Sequence, residues 1–69
     1  MTPEELGALL RAQRRKLALA QGYVAELAGI SSRQLSEWEA GRGNPSFSQL
    51  QAVLEVLGLS LHINTKTLP

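Results

Sequence analysis

The apolar positions along this chain recur at the 3.6-residue spacing of α-helices through four successive segments. Thr2 and Glu5 have the spacing of a capping box around Pro3, which marks the start of the first segment. Ser31 and Ser46 stand where N-caps are expected for the third and fourth. We therefore predict four helices, at about residues 3–19, 21–28, 32–40 and 46–57.

The predicted core is built from the apolar side of each helix. Its expected members share helical spacing: Leu6, Leu9, Leu10 and Leu17 in the first helix, Val24, Leu27 and Ala28 in the second, Ile30, Leu35 and Trp38 in or next to the third, and Phe47, Leu50, Val53, Leu54 and Leu57 in the fourth. Tyr23 falls outside the apolar phase of the second helix, so we expect it to be partly exposed.

The C-terminal segment changes period, because LSLHINT alternates apolar and polar positions. A period of two predicts a β-strand at about residues 59–65. A lone strand leaves its backbone groups unpaired, so we expect pairing with the same strand of a second copy, through Leu59, Leu61, His62 and Ile63. The alternative is a frayed C-terminal segment. The predicted fold class is all-α: a compact domain over residues 1–69, with four to five helices and a strand that pairs across a homodimer.

The composition argues against several classes of function. The chain has no cysteine, which excludes disulfides and thiolate metal sites. It has no aspartate, a single histidine (His62), and no glycine-rich phosphate loop after a strand, so we expect neither an enzyme nor a metal or other cofactor. No apolar run approaches the ~20 residues that span a bilayer, and no signal peptide opens the chain. We therefore expect a cytoplasmic protein without membrane contact.

The net charge is only +1, but its distribution is uneven. Arg11, Arg14, Arg15 and Lys16 cluster on the first predicted helix, largely outside its apolar stripe. Clustered positive charge can contact phosphates even when the total is near zero. The alternative for such a run is a solvated helix face.

The second and third predicted helices are short and joined by a tight turn at Gly29, as in a helix-turn-helix motif. The segment QGYVAELAGISSRQLSEWEAGRGNPSFSQL resembles the lambda-repressor-like, or Xre, helix-turn-helix family. Members typically have a glutamine opening the second helix, Ala-Gly-hydrophobic-Ser at the turn, Glu-x-Gly after the third helix, and then Asn-Pro-Ser. Here these are Gln21, Ala28-Gly29-Ile30-Ser31, Glu39-Ala40-Gly41 and Asn44-Pro45-Ser46, and the resemblance covers about residues 5 to 58.

The resemblance implies that the third helix contacts bases in the DNA major groove, through Ser32, Arg33, Ser36 and Glu37. Arg33 suits a guanine edge, and Glu37 can accept from a cytosine amino group. The alternative for Arg33 is an internal pair with Glu37 at i, i+4. Contacts to the DNA backbone would come from Arg11, Arg15, Gln21, Ser31, Arg42 and Asn44. The resemblance also implies a structural salt bridge between Arg14 and Glu39.

Two positions depart from the family pattern. Ala20 stands where the family usually has Thr or Ser, which removes a helix cap and a phosphate donor. Gly22 stands where the family usually has Glu or Lys, and glycine costs about 1 kcal/mol relative to alanine in a helix. The second helix should therefore be the least self-sufficient of the four.

The tail LGLSLHI is similar to that of the HipB-type antitoxins within this family. This similarity implies a homodimeric repressor of its own operon that binds a palindromic operator in double-stranded DNA, with a kinase-fold toxin as a further partner. One alternative is a stand-alone or phage-type regulator without a toxin. The other is a protein-interaction module that keeps the scaffold without contacting DNA, and the modest net charge, Ala20 and Gly22 favour it.

Overall fold

A computed structural model describes residues 1–66, so the last three residues of the predicted domain lie outside the described residues. The described chain contains four helices: α1 (Pro3–Lys16), α2 (Gln21–Ala28), α3 (Ser32–Glu39) and α4 (Phe47–Val56). The prediction of helices in these four segments is confirmed, although α1 ends three residues earlier than expected. None of the helices within residues 1–66 is long and apolar enough to cross a membrane.

Three of the four helices begin with a reciprocal capping box. The box at Thr2 and the N-caps at Ser31 and Ser46 were predicted from the sequence. The side chains of Thr2, Ser31 and Ser46 each accept a hydrogen bond from the backbone three residues on, at 3.1, 3.0 and 3.1 Å. In all three helices, the side chain of that residue accepts a hydrogen bond from the backbone N–H of the cap residue. Ala20 gives α2 no side-chain cap, so the first N–H groups of α2 have no such partner.

All four helices end in the same way, with one residue in the left-handed conformation. These residues are Ala18, Gly29, Gly41 and Gly58, with φ of 58°, 75°, 81° and 69°. In each case the following N–H donates to the carbonyl five residues earlier, which is the Schellman arrangement: Leu19 to Arg14, Ile30 to Ala25, Arg42 to Glu37, and Leu59 to Leu54. Ala18 is the one non-glycine residue of residues 1–66 in this conformation.

The core lies where the inner sides of the four helices meet. Its buried apolar members are Leu10, Val24, Ala25, Leu35, Trp38, Val53, Leu54 and Leu57. The predicted burial of Leu35 and Trp38 is confirmed, and Tyr23 is exposed as expected.

Four residues predicted for the core are exposed instead: Leu9, Leu17, Leu27 and Phe47. In α2, the inner side is formed by Val24, Ala25 and Ala28, which turns Leu27 outward with 57% of its surface exposed. Phe47 is the first residue of α4 and is 66% exposed, because the inner side of α4 begins one turn later at Leu50.

Over the described residues, the single chain shows neither the β-strand predicted at residues 59–65 nor the fifth helix that the fold prediction allowed. Leu59 packs against the core, but Leu61, His62 and Ile63 are exposed, and residues 59–66 form neither helix nor strand. A strand is defined by hydrogen bonds to a neighbouring strand, and within residues 1–66 no second extended segment lies beside this one. The alternating pattern of LSLHINT indicates which side chains would share a face of a strand, but a strand also needs a neighbouring strand to pair with.

Candidate nucleic-acid interface

Helix α3 has one side in the core and one polar side. Leu35, Trp38 and Glu39 are buried, whereas Ser32, Arg33 and Ser36 are exposed and Glu37 is half-buried. Ser32, Arg33, Ser36 and Glu37 are called the polar side of α3 below. Because residues 32, 33, 36 and 37 share one helix face, the structure brings the four predicted base-contacting residues together.

The end of α3 is held by a buried ion pair between Arg14 and Glu39. Arg14 donates from Nε and Nη2 to the two carboxylate oxygens of Glu39 at 2.7 and 2.9 Å, and from Nη1 to the carbonyl of Leu19 at 2.8 Å. Glu39 is only 8% exposed. The ion pair implied by the family resemblance is therefore present, and it joins α1, the α1–α2 loop and α3.

Ionisation of Glu39 is favoured although the residue is buried. Burial would raise the pKa of this carboxyl, but hydrogen bonds from Arg14 and Gln21, together with the charges of Arg14 and Arg11, hold it below its ordinary value. Arg14 is held in the charged form by the same hydrogen bond, which raises its pKa. The charged pair therefore persists through the neutral pH range.

Gln21, predicted to contact the DNA backbone, lies at the first position of α2 and donates from Nε2 to Oε1 of Glu39 at 3.1 Å. The side chain is half-buried. A primary amide carries two N–H bonds. One braces the end of α3, and the second is left for another acceptor.

Gly7 allows α1 to lie directly against the end of α3. A Cβ built on Gly7 would lie 2.9 Å from the carbonyl oxygen of Glu39 and would meet that of Trp38 even more closely. This contact was not predicted from the sequence. A signal was present, since a glycine in the interior of an amphipathic helix costs stability unless a close approach requires it.

Glu37 forms the second ion pair of the described chain. Its Oε2 lies 2.7 Å from Nε of Arg42, just beyond the end of α3. The predicted alternative of an Arg33–Glu37 ion pair is not what the structure shows. The hydrogen bond from Arg42 and the charge of Arg42 lower the pKa of Glu37, and Arg33 adds only a smaller Coulombic attraction. The polar side of α3 thus presents a carboxylate that Arg42 already neutralises.

The other predicted backbone-contacting residues are exposed. Arg11 and Arg15 lie on α1, Ser31 caps α3, and Asn44 lies in the α3–α4 loop. Ser31 Oγ accepts from the Gln34 backbone at 3.0 Å, which leaves its hydroxyl hydrogen available to an acceptor. No group of three or more potential metal-binding residues occurs among residues 1–66.

Comparison with known sequences points to one family. Residues 10–63 match the model of the helix-turn-helix family. An uncharacterized HTH-type transcriptional regulator of Sinorhizobium fredii, y4mF, is 36% identical over 62 residues, which cover 90% of this chain and 82% of that protein. Repressor protein C2 of Salmonella phage P22 is 30% identical over 60 residues, which cover 87% of this chain but only 28% of the phage protein.

Solved structures share the arrangement of the helices. The clp gene regulator ClgR from C. glutamicum superposes with a TM-score of 0.82 and 36% identity, over 88% of this chain and 78% of that one. A chain of the HipA-HipB-O2-O3 complex superposes with a TM-score of 0.83 over 97% of this chain and 94% of that one. At 21% identity, the second likeness concerns the fold alone.

Proposed function

This chain belongs to the helix-turn-helix family of the Xre type, a family of DNA-binding regulators, and we propose that it is a sequence-specific transcriptional repressor. The proposal rests on the contacts that hold α3 in place. Arg14 and Gln21 hold the end of the helix through the buried Glu39, while its opposite side presents polar groups. A rigidly held helix with a polar side is suited to the major groove. The phage P22 relative is itself named a repressor.

The polar side of α3 is proposed to contact bases. Arg33 is exposed and offers the fork of donors that matches the O6 and N7 acceptors of guanine. Ser32 and Ser36 flank it and can donate or accept. Replacing Arg33 should therefore change the preferred sequence as well as the affinity.

Groups on α1, at the starts of α2 and α3 and in the α3–α4 loop are proposed to contact DNA phosphates. They are Arg11 and Arg15 from α1, the Ser31 hydroxyl, the free N–H of the Gln21 amide, and Asn44. Such contacts fix the orientation of a protein on the duplex without specifying sequence. Arg42, the sixth residue predicted for this role, has its Nε bonded to Glu37.

The active species is proposed to be a homodimer in which residues 59–65 of two copies pair as antiparallel strands. In the single chain Leu61 and Ile63 are exposed, and within residues 1–66 the backbone of residues 60–65 makes no hydrogen bond to another backbone group. Leu61→Asp should weaken dimerisation, measured by sedimentation at falling concentration, and operator affinity should fall with it. The pairing is refuted if the variant stays dimeric at the concentrations where the parent chain does.

A role as the antitoxin of a HipBA-like pair is the finer form of the proposal. Its support is the LGLSLHI tail and the fold shared with a chain of the HipA-HipB-O2-O3 complex. The protein would then act in the bacterial cytoplasm, on the nucleoid, and would bind a kinase-fold toxin encoded beside it. Titration calorimetry with that neighbouring gene product tests the role, and a regulator without such a partner would show no heat of binding.

Footprinting on the DNA upstream of the protein's own gene tests the repressor function. A dimer should protect two half-sites about one helical turn, roughly 34 Å, apart. Absence of protection at low salt would contradict DNA binding and would favour a protein-interaction module built on the same scaffold.

A further inference from the structure

Arg42 and Glu37 are joined twice, once through the backbone and once through their side chains. The Arg42 N–H donates to the Glu37 carbonyl at 2.8 Å, as part of the turn that ends α3. The Arg42 side chain then returns to the Glu37 carboxylate at 2.7 Å. Because both contacts link the same two residues, the turn that terminates the helix also determines where the guanidinium lies.

The backbone on either side of Arg42 is constrained. Gly41 and Gly43 both have positive φ, at 81° and 84°. A Cβ on Gly41 would lie 3.0 Å from the Cα of Glu4, and one on Gly43 would lie 2.7 Å from Cδ1 of Trp38. The segment 41–43 is thus seated against α1 on one side and the buried indole on the other. The backbone of Arg42 is therefore held by packing on both sides.

The arrangement leaves part of Glu37 available to a ligand. Its side chain is 37% exposed, compared with 67% for Arg42, and the bond between them uses Oε2. Within residues 1–66, Oε1 accepts no hydrogen bond from the chain. An unpaired carboxylate would be repelled by DNA phosphates, whereas one neutralised by a guanidinium can enter the groove and accept a hydrogen bond.

We propose that Glu37 accepts a hydrogen bond from the amino group of a cytosine, and that Arg42 is its positioning residue, acting on sequence preference through Glu37. This inference rests on the proposed DNA-binding function and adds to it the structural cause of a base preference, which is the positioning of Glu37 by Arg42. It assigns Arg42 a different role from Arg11 and Arg15, which have no such partner on α3 among the described residues.

Selection from a duplex library, randomised over about two helical turns, tests the inference. The chains compared are the parent, Glu37→Ala, Arg42→Ala, the double variant, and Arg15→Ala as the control for a phosphate contact. Parent sites should contain a cytosine at one position of each half-site. Glu37→Ala and Arg42→Ala should each reduce discrimination at that position about tenfold, and the double variant should lose little more. Arg15→Ala should weaken all sequences equally and keep the preference.

Three outcomes would overturn the inference. The first is that Arg42→Ala keeps the cytosine preference but binds every sequence less tightly, with a salt slope smaller by about one. That result would make Arg42 a phosphate contact. The second is that Glu37→Ala selects the same sites as the parent chain. The third is that the parent chain selects no duplex above background, in which case the proposed DNA-binding function fails and the inference fails with it. A melting temperature close to that of the parent chain shows for each variant that it is folded.

Discussion

The Cα of Gly7 lies against the carbonyl of Trp38, with no room for a side chain between α1 and the end of α3. Gly7→Ala should therefore destabilise the chain by about 3 kcal/mol, since the new methyl group meets backbone atoms that cannot rotate away. Urea denaturation measures the change.

Gly22→Ala is the matched control for Gly7→Ala. A Cβ on Gly22 would make an ordinary contact of 3.5 Å with Ser32 Oγ, so helix propensity should decide the result. This variant should gain about 0.5 to 1 kcal/mol. Equal effects of the two substitutions would contradict the close approach of α1 and α3.

Arg14→Ala should cost about 3 kcal/mol, because it leaves the buried Glu39 carboxylate with only Gln21 as a partner. Arg14→Lys should be intermediate, since an ammonium group cannot make the three directed bonds that Arg14 makes to Glu39 and Leu19. Arg15→Ala, at an exposed neighbouring position, should change the free energy of unfolding by less than about 0.5 kcal/mol. A similar loss in Arg15→Ala would show that α1 depends on general charge and not on the pair.

Stability should fall in acid. The pKa of Glu39 in the folded chain lies below the ordinary value of 4.5, despite its burial, because Arg14 and Gln21 bond to the ionised form. The pKa values of Glu37 and Glu5 are lowered as well, by Arg42 and by Thr2. The stability from these groups is complete above about pH 4.5 and is lost as the pH falls through the folded pKa values.

Urea denaturation between about pH 5 and pH 3 measures this loss. Glu39→Gln should be less stable than the parent chain at pH 7 but should have a shallower dependence on pH, since its most buried carboxylate is gone. A pH dependence unchanged by the substitution would contradict the lowered pKa of Glu39.

Ala18→Gly should stabilise the chain. Ala18 ends α1 with φ of 58°, a conformation that costs an L-residue about 1 to 2 kcal/mol and costs glycine almost nothing. After allowance for the greater freedom of glycine in the unfolded chain, we expect a gain of about 0.5 to 1 kcal/mol and a higher melting temperature. Ala8→Gly, the same change at an exposed position inside α1, should instead lose about 1 kcal/mol.

Arg33→Ala should cost about 1 to 3 kcal/mol of operator binding and relax discrimination at one base pair. The reason is that Arg33 is the exposed guanidinium on the polar side of α3. Fluorescence anisotropy with operator duplexes altered one pair at a time checks this. A uniform loss over all duplexes would instead make Arg33 a phosphate contact.

Features set by local chemistry were predictable from the sequence. The boxes at Thr2, Ser31 and Ser46 involve residues three apart, so the chain order alone brings their partners together. The four residues of the polar side of α3 share a face for the same reason. The ion pair of Arg14 with Glu39 spans 25 positions, and only the family resemblance indicated it.

Features that depend on packing between helices, or on the path of the chain beyond a helix end, were not predictable in this way. Spacing alone allowed Leu27 to be buried, but the inner side of α2 follows the small residues Ala25 and Ala28. The partner of Glu37 proved to be Arg42, because the turn after α3 folds back, and not the neighbour one helical turn away. The alternation at 59–65 gave a period but could not supply the strand to pair with.

The most direct test of sequence-specific DNA binding compares one duplex carrying the selected site with a scrambled duplex of equal composition, over a series of salt concentrations. The affinity for the selected duplex should exceed that for the scrambled one by about a thousandfold, and both should fall steeply as salt rises, because phosphate contacts release counterions. Equal affinity for the two duplexes, or no binding at the lowest salt, would contradict the account.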